Sequence, residues 1–191
     1  MEFSKESEMN QLQKINLEGV GPVSFERSRK ARSISISVKS PDRVRVAVPE
    51  GISLQAAEDF TLSKISWIKK NINKLSNQID LKQQLNLVDV NYAKLYLINR
   101  LRILANQHGF TYNKVSVRNQ KTRWGSCSFN NNISLNIKLV CLPKHLADYV
   151  ILHELVHTKI KNHSPSFWSF LNKYIPDAKK IDKALKRYSC S

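Results

Sequence analysis

Residues 144 to 161 constrain this chain more than any other stretch. Pro143 suits the first turn of a helix, and the residues after it are apolar on nearly every side except at Asp148, Glu154 and Lys159. A helix of that kind belongs in the middle of a domain. It nevertheless carries His153-Glu154-Leu155-Val156-His157, two imidazoles and a carboxylate within five residues. Four residues are about one helical turn, a rise of about 6 Å, so both imidazoles leave the same face and can reach one ion. Among 191 residues containing 5 His, roughly 0.005 H-E-x-x-H matches are expected by accident. The pattern therefore predicts a zinc site, with Glu154 beside the metal-bound water but outside the ligand set.

His163 supplies a third ligand. It follows His157 by six residues, the separation between the second and third ligands of the elongated motif H-E-x-x-H-x-x-G-x-x-H. Ile160 stands where that motif has glycine. Asn162 is expected to turn the chain back instead, because asparagine tolerates left-handed backbone. Three histidines leave a fourth position open, which marks a catalytic rather than a closed structural site, with one Zn2+ per chain.

Around this helix the pattern is that of an α+β protein. Residues 1–20 are polar with scattered apolar side chains and read as a mobile leader. From Arg32, Ile34, Ile36 and Val38 alternate with serines, and Val44, Val46 and Val48 alternate again after the turn Ser40-Pro41-Asp42, giving a β-hairpin. Ser53 can cap a helix running to about Ser76, followed by a glutamine-rich link over 77–86. A second helix is expected from Val88 to Gln107, stopped at His108-Gly109. Val115 and Val117, the segment 123–128, and Ile133 to Leu139 read as strands. Ser164-Pro165 opens another helix, and a last basic one follows Asp177.

Several segments together resemble the YgjP-like metallopeptidase family of minimal zincins. They are Arg123-Trp124-Gly125-Ser126-Cys127-Ser128, Ile133-Ser134-Leu135-Asn136, 148–157 and Asn162-His163-Ser164-Pro165-Ser166-Phe167-Trp168, with Val46-Ala47-Val48-Pro49 and Ser66-Trp67-Ile68-Lys69-Lys70 agreeing in the N-terminal half. The resemblance implies a zincin-like α+β domain over 21–187, a small sheet packed on the active-site helix. Residues 21–80 would form an N-terminal hairpin and helix, and 86–187 the catalytic core. It implies zinc-dependent hydrolysis of a peptide or protein substrate, with His153, His157 and His163 as ligands and Glu154 as general base. Arg118, Arg123, Trp124, Asn136 and Tyr149 are candidate substrate-binding residues. The strand from Ile133 to Leu139 is the candidate edge for holding an extended peptide.

Charge adds a second theme. Lys plus Arg number 31 against 15 acids, a formal charge of +16, and no acid lies between Asp89 and Asp148. Such a field favours anionic partners, nucleic acid among them. Two rivals follow: a zinc-bearing nucleic-acid-binding protein without catalysis, and a peptidase brought to DNA-bound protein, as distant similarity to SprT-like proteases suggests. Three cysteines at no metal-ligand spacing, no apolar signal core and no membrane-length apolar run lead to the expectation of a cytoplasmic protein without a membrane partner.

Overall fold

The computed structural model describes residues 11–190 and divides into two compact units between Ser76 and Asn77. In the first unit, β1 (Gln11–Leu17), β2 (Gly21–Ser28), β3 (Ser35–Ser40) and β4 (Arg43–Pro49) form one sheet in the order β1-β2-β4-β3. The hairpin expected from the alternating serines is β3 and β4, with Ile36 opposite Val46. Val44, Val46 and Val48 point inward with Val23 and Phe25 of β2, against Ala57 and Ile68. Two further strands were not anticipated. β1 pairs antiparallel with β2, so the expected leader is corrected from Gln11 onward: residues 11–17 are held by ladder hydrogen bonds. Residues 1–10 lie outside the described part. Gly19 and Gly21, both at positive φ, make the β1–β2 connection possible.

Helices α1 (Leu54–Ser63) and α2 (Ile65–Asn86) follow. The side chain of Ser53 caps α1 through the Ala56 N–H, as the sequence predicted. The single helix expected to Ser76 is instead interrupted at Lys64, and α2 runs on through the glutamine-rich stretch expected to be a link. Glutamine is a good helix former, and the stretch holds Leu81, which is buried in the core of the second unit. A polar composition had hidden that one anchoring side chain.

In the second unit α3 (Val90–His108) is capped by Asp89 and stopped by Gly109 in left-handed backbone. β5 (Val115–Arg118), β6 (Gly125–Cys127) and β7 (Ile133–Asn136) form a sheet in the order β5-β7-β6. After a 3-10 turn, Ile137–Cys141, come α4 (Lys144–Val156), α5 (Pro165–Asn172) and α6 (Ala178–Leu185). The strand expected to reach Leu139 thus ends at Asn136, whose side chain caps the 3-10 turn through the Lys138 N–H. β7 is also the central strand, paired on both sides. It cannot be the free edge assigned to it, and β5 and β6 are the edges.

Helix α4 is the centre of this unit. Tyr149, Val150, Ile151, Leu152, Leu155 and Val156 are all buried, packed with Leu97 and Leu101 of α3, Ile133 and Leu135 of β7, and Phe167 and Leu171 of α5. Arg100 of α3 clamps it with two bonds to Asp148, Nε to Oδ1 at 2.6 Å and Nη2 to Oδ2 at 2.7 Å, and Lys144 adds a third at 3.0 Å. No helix among the described residues is long and apolar enough to cross a membrane.

Candidate metal centre

Helix α4 ends at Val156, five residues earlier than the sequence suggested, and His157 is its C-cap. The chain then tightens, with Thr158 N–H donating to Leu155 O and both Lys159 and Ile160 N–H donating to Val156 O. Among the described residues the non-glycine positions at positive φ are Asn131 and Asp177. The left-handed turn assigned to Asn162 is therefore absent. The return is made by short right-handed turns, and His157 helps to hold it, since its Nδ1 lies 2.9 Å from Ile160 O.

This brings three imidazole Nε2 atoms together. They lie 3.2 Å apart for His153 and His157, 3.1 Å for His157 and His163, and 2.9 Å for His163 and His153. The tautomers suit a cation. A carbonyl oxygen can only accept, so His157 Nδ1 carries its hydrogen toward Ile160 and leaves Nε2 with a lone pair. The Tyr149 hydroxyl donates to Asp182 Oδ1 at 3.2 Å and faces His153 Nδ1 at 3.4 Å, so it is placed to accept from that nitrogen, again freeing Nε2. Partners of this sort orient metal-bound histidines and fix their tautomer. Burial, reinforced by the neighbouring imidazoles, pushes the pKa of His153 down to about 3, and burial also lowers that of His157. Both rings are neutral at pH 7, as ligation requires. Three imidazole nitrogens converging at these separations fit a divalent ion of the zinc type.

Phe167 of α5 floors the cluster. It is 0% exposed, and its ring centroid lies 4.5 to 4.9 Å from all three imidazoles, stacked on His157 and edge-on to the other two. Glu154, 6% exposed, faces β6. A Cβ at Gly125 would stand 2.7 Å from its Cγ and 2.8 Å from Oε1, so any larger residue there would displace the carboxylate. Burial raises the Glu154 pKa to about 8, opposed by the positive charge of Arg123.

The remaining candidates separate. Arg118 and Arg123 are exposed, and Trp124 is half-buried against the core. Asn136 is corrected from substrate contact to brace: it is 0% exposed, and its Nδ2 donates to Gln120 O and Arg123 O, both at 2.9 Å. Tyr149 is corrected likewise. At 1% exposure it offers substrate no surface, and its hydroxyl serves Asp182 and His153. Sequence reasoning missed Gly125, Phe167 and Asp182. Glycine inside a strand signals a close approach by another group, so Gly125 was discoverable, whereas nothing local couples Asp182 to Tyr149 33 residues away.

A centre of three histidines on and just beyond a buried helix, with a carboxylate at the next position, defines a metallohydrolase class. The model of the YgjP-like metallopeptidase domain matches residues 32–91 and 76–188, and the chain belongs to that family: it is a metallopeptidase, a hydrolase of peptide or protein substrates. Among solved structures it is similar to the metallopeptidase zymogen abylysin of Pyrococcus abyssi, at 28% identity over 48% of this chain and 93% of that one, with a TM-score of 0.42. It is also similar to the zymogen jannalysin of Methanocaldococcus jannaschii, at 26% identity over 52% and 96%, with a TM-score of 0.39. No curated protein matches the chain.

Proposed function

We propose that the chain is a zinc-dependent peptidase in which His153, His157 and His163 hold the ion and Glu154 is the general base. The observation that carries this reading is the convergence of three histidine nitrogens, with a buried carboxylate at the position next to His153 that is not one of the grouped ligands. When bound, zinc supplies Lewis acidity that polarises a carbonyl and makes water acidic near neutral pH. The protein's own groups do the rest. Glu154, fixed against Gly125, takes the proton of the attacking water and passes it to the leaving nitrogen. Tyr149 and Asp182 hold the His153 ring, Ile160 O holds His157, and Phe167 keeps water from beneath the cluster. Strand β6, an edge of its sheet that packs on Glu154, is the strand available to align an extended peptide.

The test is Glu154→Gln, which preserves shape and removes the base. Zinc content and thermal stability should persist while peptide hydrolysis falls by about 10² to 10⁴. Hydrolysis at the wild-type rate, with zinc measured in both proteins, would remove Glu154 from the mechanism.

A further inference from the structure

The three-stranded sheet has two unlike faces. Ile133 and Leu135 turn into the core, so Ser134 between them points the other way. The register places Ser116 of β5 and Ser126 of β6 directly beside Ser134, a row of three serines across the outer face. This row floors a trough of about 760 Å³, walled by residues 120–123 on one side and Ser128 and Asn132 on the other, and rimmed by Arg118, Lys121 and Arg123. The first wall is held down from beneath by Asn136.

Two properties of the trough point to a ligand. Among the described residues, three buried side-chain oxygens have no hydrogen-bond partner, Gln120 Oε1, Asn132 Oδ1 and Ser134 Oγ, and all three residues line it. Buried polar groups are ordinarily paired, so three unpaired oxygens just beneath one trough mark a place where water or a polar ligand completes the pairing. The rim is cationic, and no described carboxylate lies within ion-pair distance of Arg118, Lys121 or Arg123. Ser126 follows Gly125, the residue against which Glu154 packs, so β6 turns one face to Glu154 and the opposite face to the trough, and an extended peptide along its edge sends alternate side chains to each. At about 3.3 Å per residue, a peptide entering along β6 reaches the serine row within a few residues of the cleaved bond.

We propose that this trough is a specificity subsite for an acidic peptide segment, seating Asp or Glu side chains within about four residues of the scissile bond. The assignment of the occupant as substrate rests on the peptidase reading. Arginines can bind carboxylates in pairs of hydrogen bonds, serine hydroxyls donate to them, and the amides of Gln120 and Asn132 meet the peptide backbone. A peptide is favoured over single-stranded nucleic acid because the lining contains no aromatic ring on which a base could stack.

The experiment uses the full chain carrying Glu154→Gln, loaded with zinc, and two labelled twelve-residue peptides identical except that Asp and Glu in one are Asn and Gln in the other. The acidic peptide should bind about tenfold more tightly, a modest sum of partly screened ion pairs. Arg118→Ala with Lys121→Ala should abolish the preference, and Ser134→Leu should weaken acidic-peptide binding without changing any charge. Equal affinity for the two peptides, or a preference that survives both changes, overturns the proposal. So does a single-stranded oligonucleotide that binds more tightly than the acidic peptide and is released by Ser134→Leu. With Glu154 restored, cleavage without acidic preference sinks the subsite and leaves the peptidase reading intact. Selective binding without cleavage of any peptide does the reverse.

Discussion

The two units of this chain distribute charge differently. Residues 1–76 contain 13 Lys and Arg against 9 Asp and Glu, whereas residues 77–191 contain 18 against 6. In the first unit two acids pair with arginines at or near the surface, Glu50 with Arg29 and Glu26 with Arg45. The core beneath is Val, Phe, Ile and Ala. In the second unit Asp80, Asp89 and Asp177 are exposed, whereas three other acids are tied into the packed interior. Asp148 is committed to Arg100 and Lys144, Asp182 to Lys186 and Tyr149, and Glu154 is buried near the histidines. Arg118, Lys121 and Arg123 of that unit are exposed, and no described carboxylate lies within ion-pair distance of them. Glu154 is buried with no ion pair among the described residues, a break in the usual rules of burial and pairing, and breaks of that kind collect where chemistry is done.

The contrast can be broken by substitution. The largest expected effect is that of Glu154→Gln described above, a loss of hydrolysis with the fold kept. Gly125→Ala comes next. Its methyl group would stand 2.7 Å from the Glu154 Cγ, and a misplacement of about 1 Å costs roughly 10²-fold in rate. Zinc titration should be unchanged in this variant while kcat falls. Undiminished kcat would mean that the carboxylate position is not critical.

Tyr149→Phe removes the hydroxyl between Asp182 and His153 and leaves the ring to fill the core. Zinc affinity, measured by competition with a chelator, should weaken by about tenfold, at the low end of what partners behind a ligand contribute. Equal affinity would reduce Tyr149 to packing.

Asp148 sharpens the comparison through pH. Burial raises its pKa, but the hydrogen bonds from Arg100 and Lys144 outweigh burial and hold it below the ordinary 3.8. Because the folded value lies below the unfolded one, ionised Asp148 stabilises the fold above about pH 4, and that contribution disappears as pH falls through the lowered folded value. Removing Arg100 with Arg100→Ala should cost about 2 kcal/mol at pH 7, and the gap from wild type should narrow in thermal melts below pH 4. A gap independent of pH would assign the loss to packing.

The smallest effect belongs to the first unit. Glu26→Gln loosens a partly exposed pair with Arg45 and should cost less than about 1 kcal/mol, with hydrolysis and zinc affinity at wild-type levels. A large loss of hydrolysis there would end the distinction between the units.

Sequence alone determined what is periodic or local. The β3–β4 hairpin follows from alternation at Ile34 to Val48, the α1 cap from Ser53, the end of α3 from Gly109, and the sharing of one helix face by His153 and His157 from their spacing. Each depends on residues a few positions apart, where backbone geometry leaves little choice. Tertiary structure decided the rest. The pairing of β1 with β2, the central place of β7, the seat of Phe167 under three imidazoles, the bond from Tyr149 to Asp182 and the closeness of Gly125 to Glu154 all join segments that sequence spacing does not relate. Such contacts are fixed by which faces are buried against one another, and burial is a property of the whole packed unit rather than of any window along the chain. For the same reason Asn136, a polar residue beside the signature segment, read as a substrate contact and proved to be the brace beneath the loop that carries Arg123.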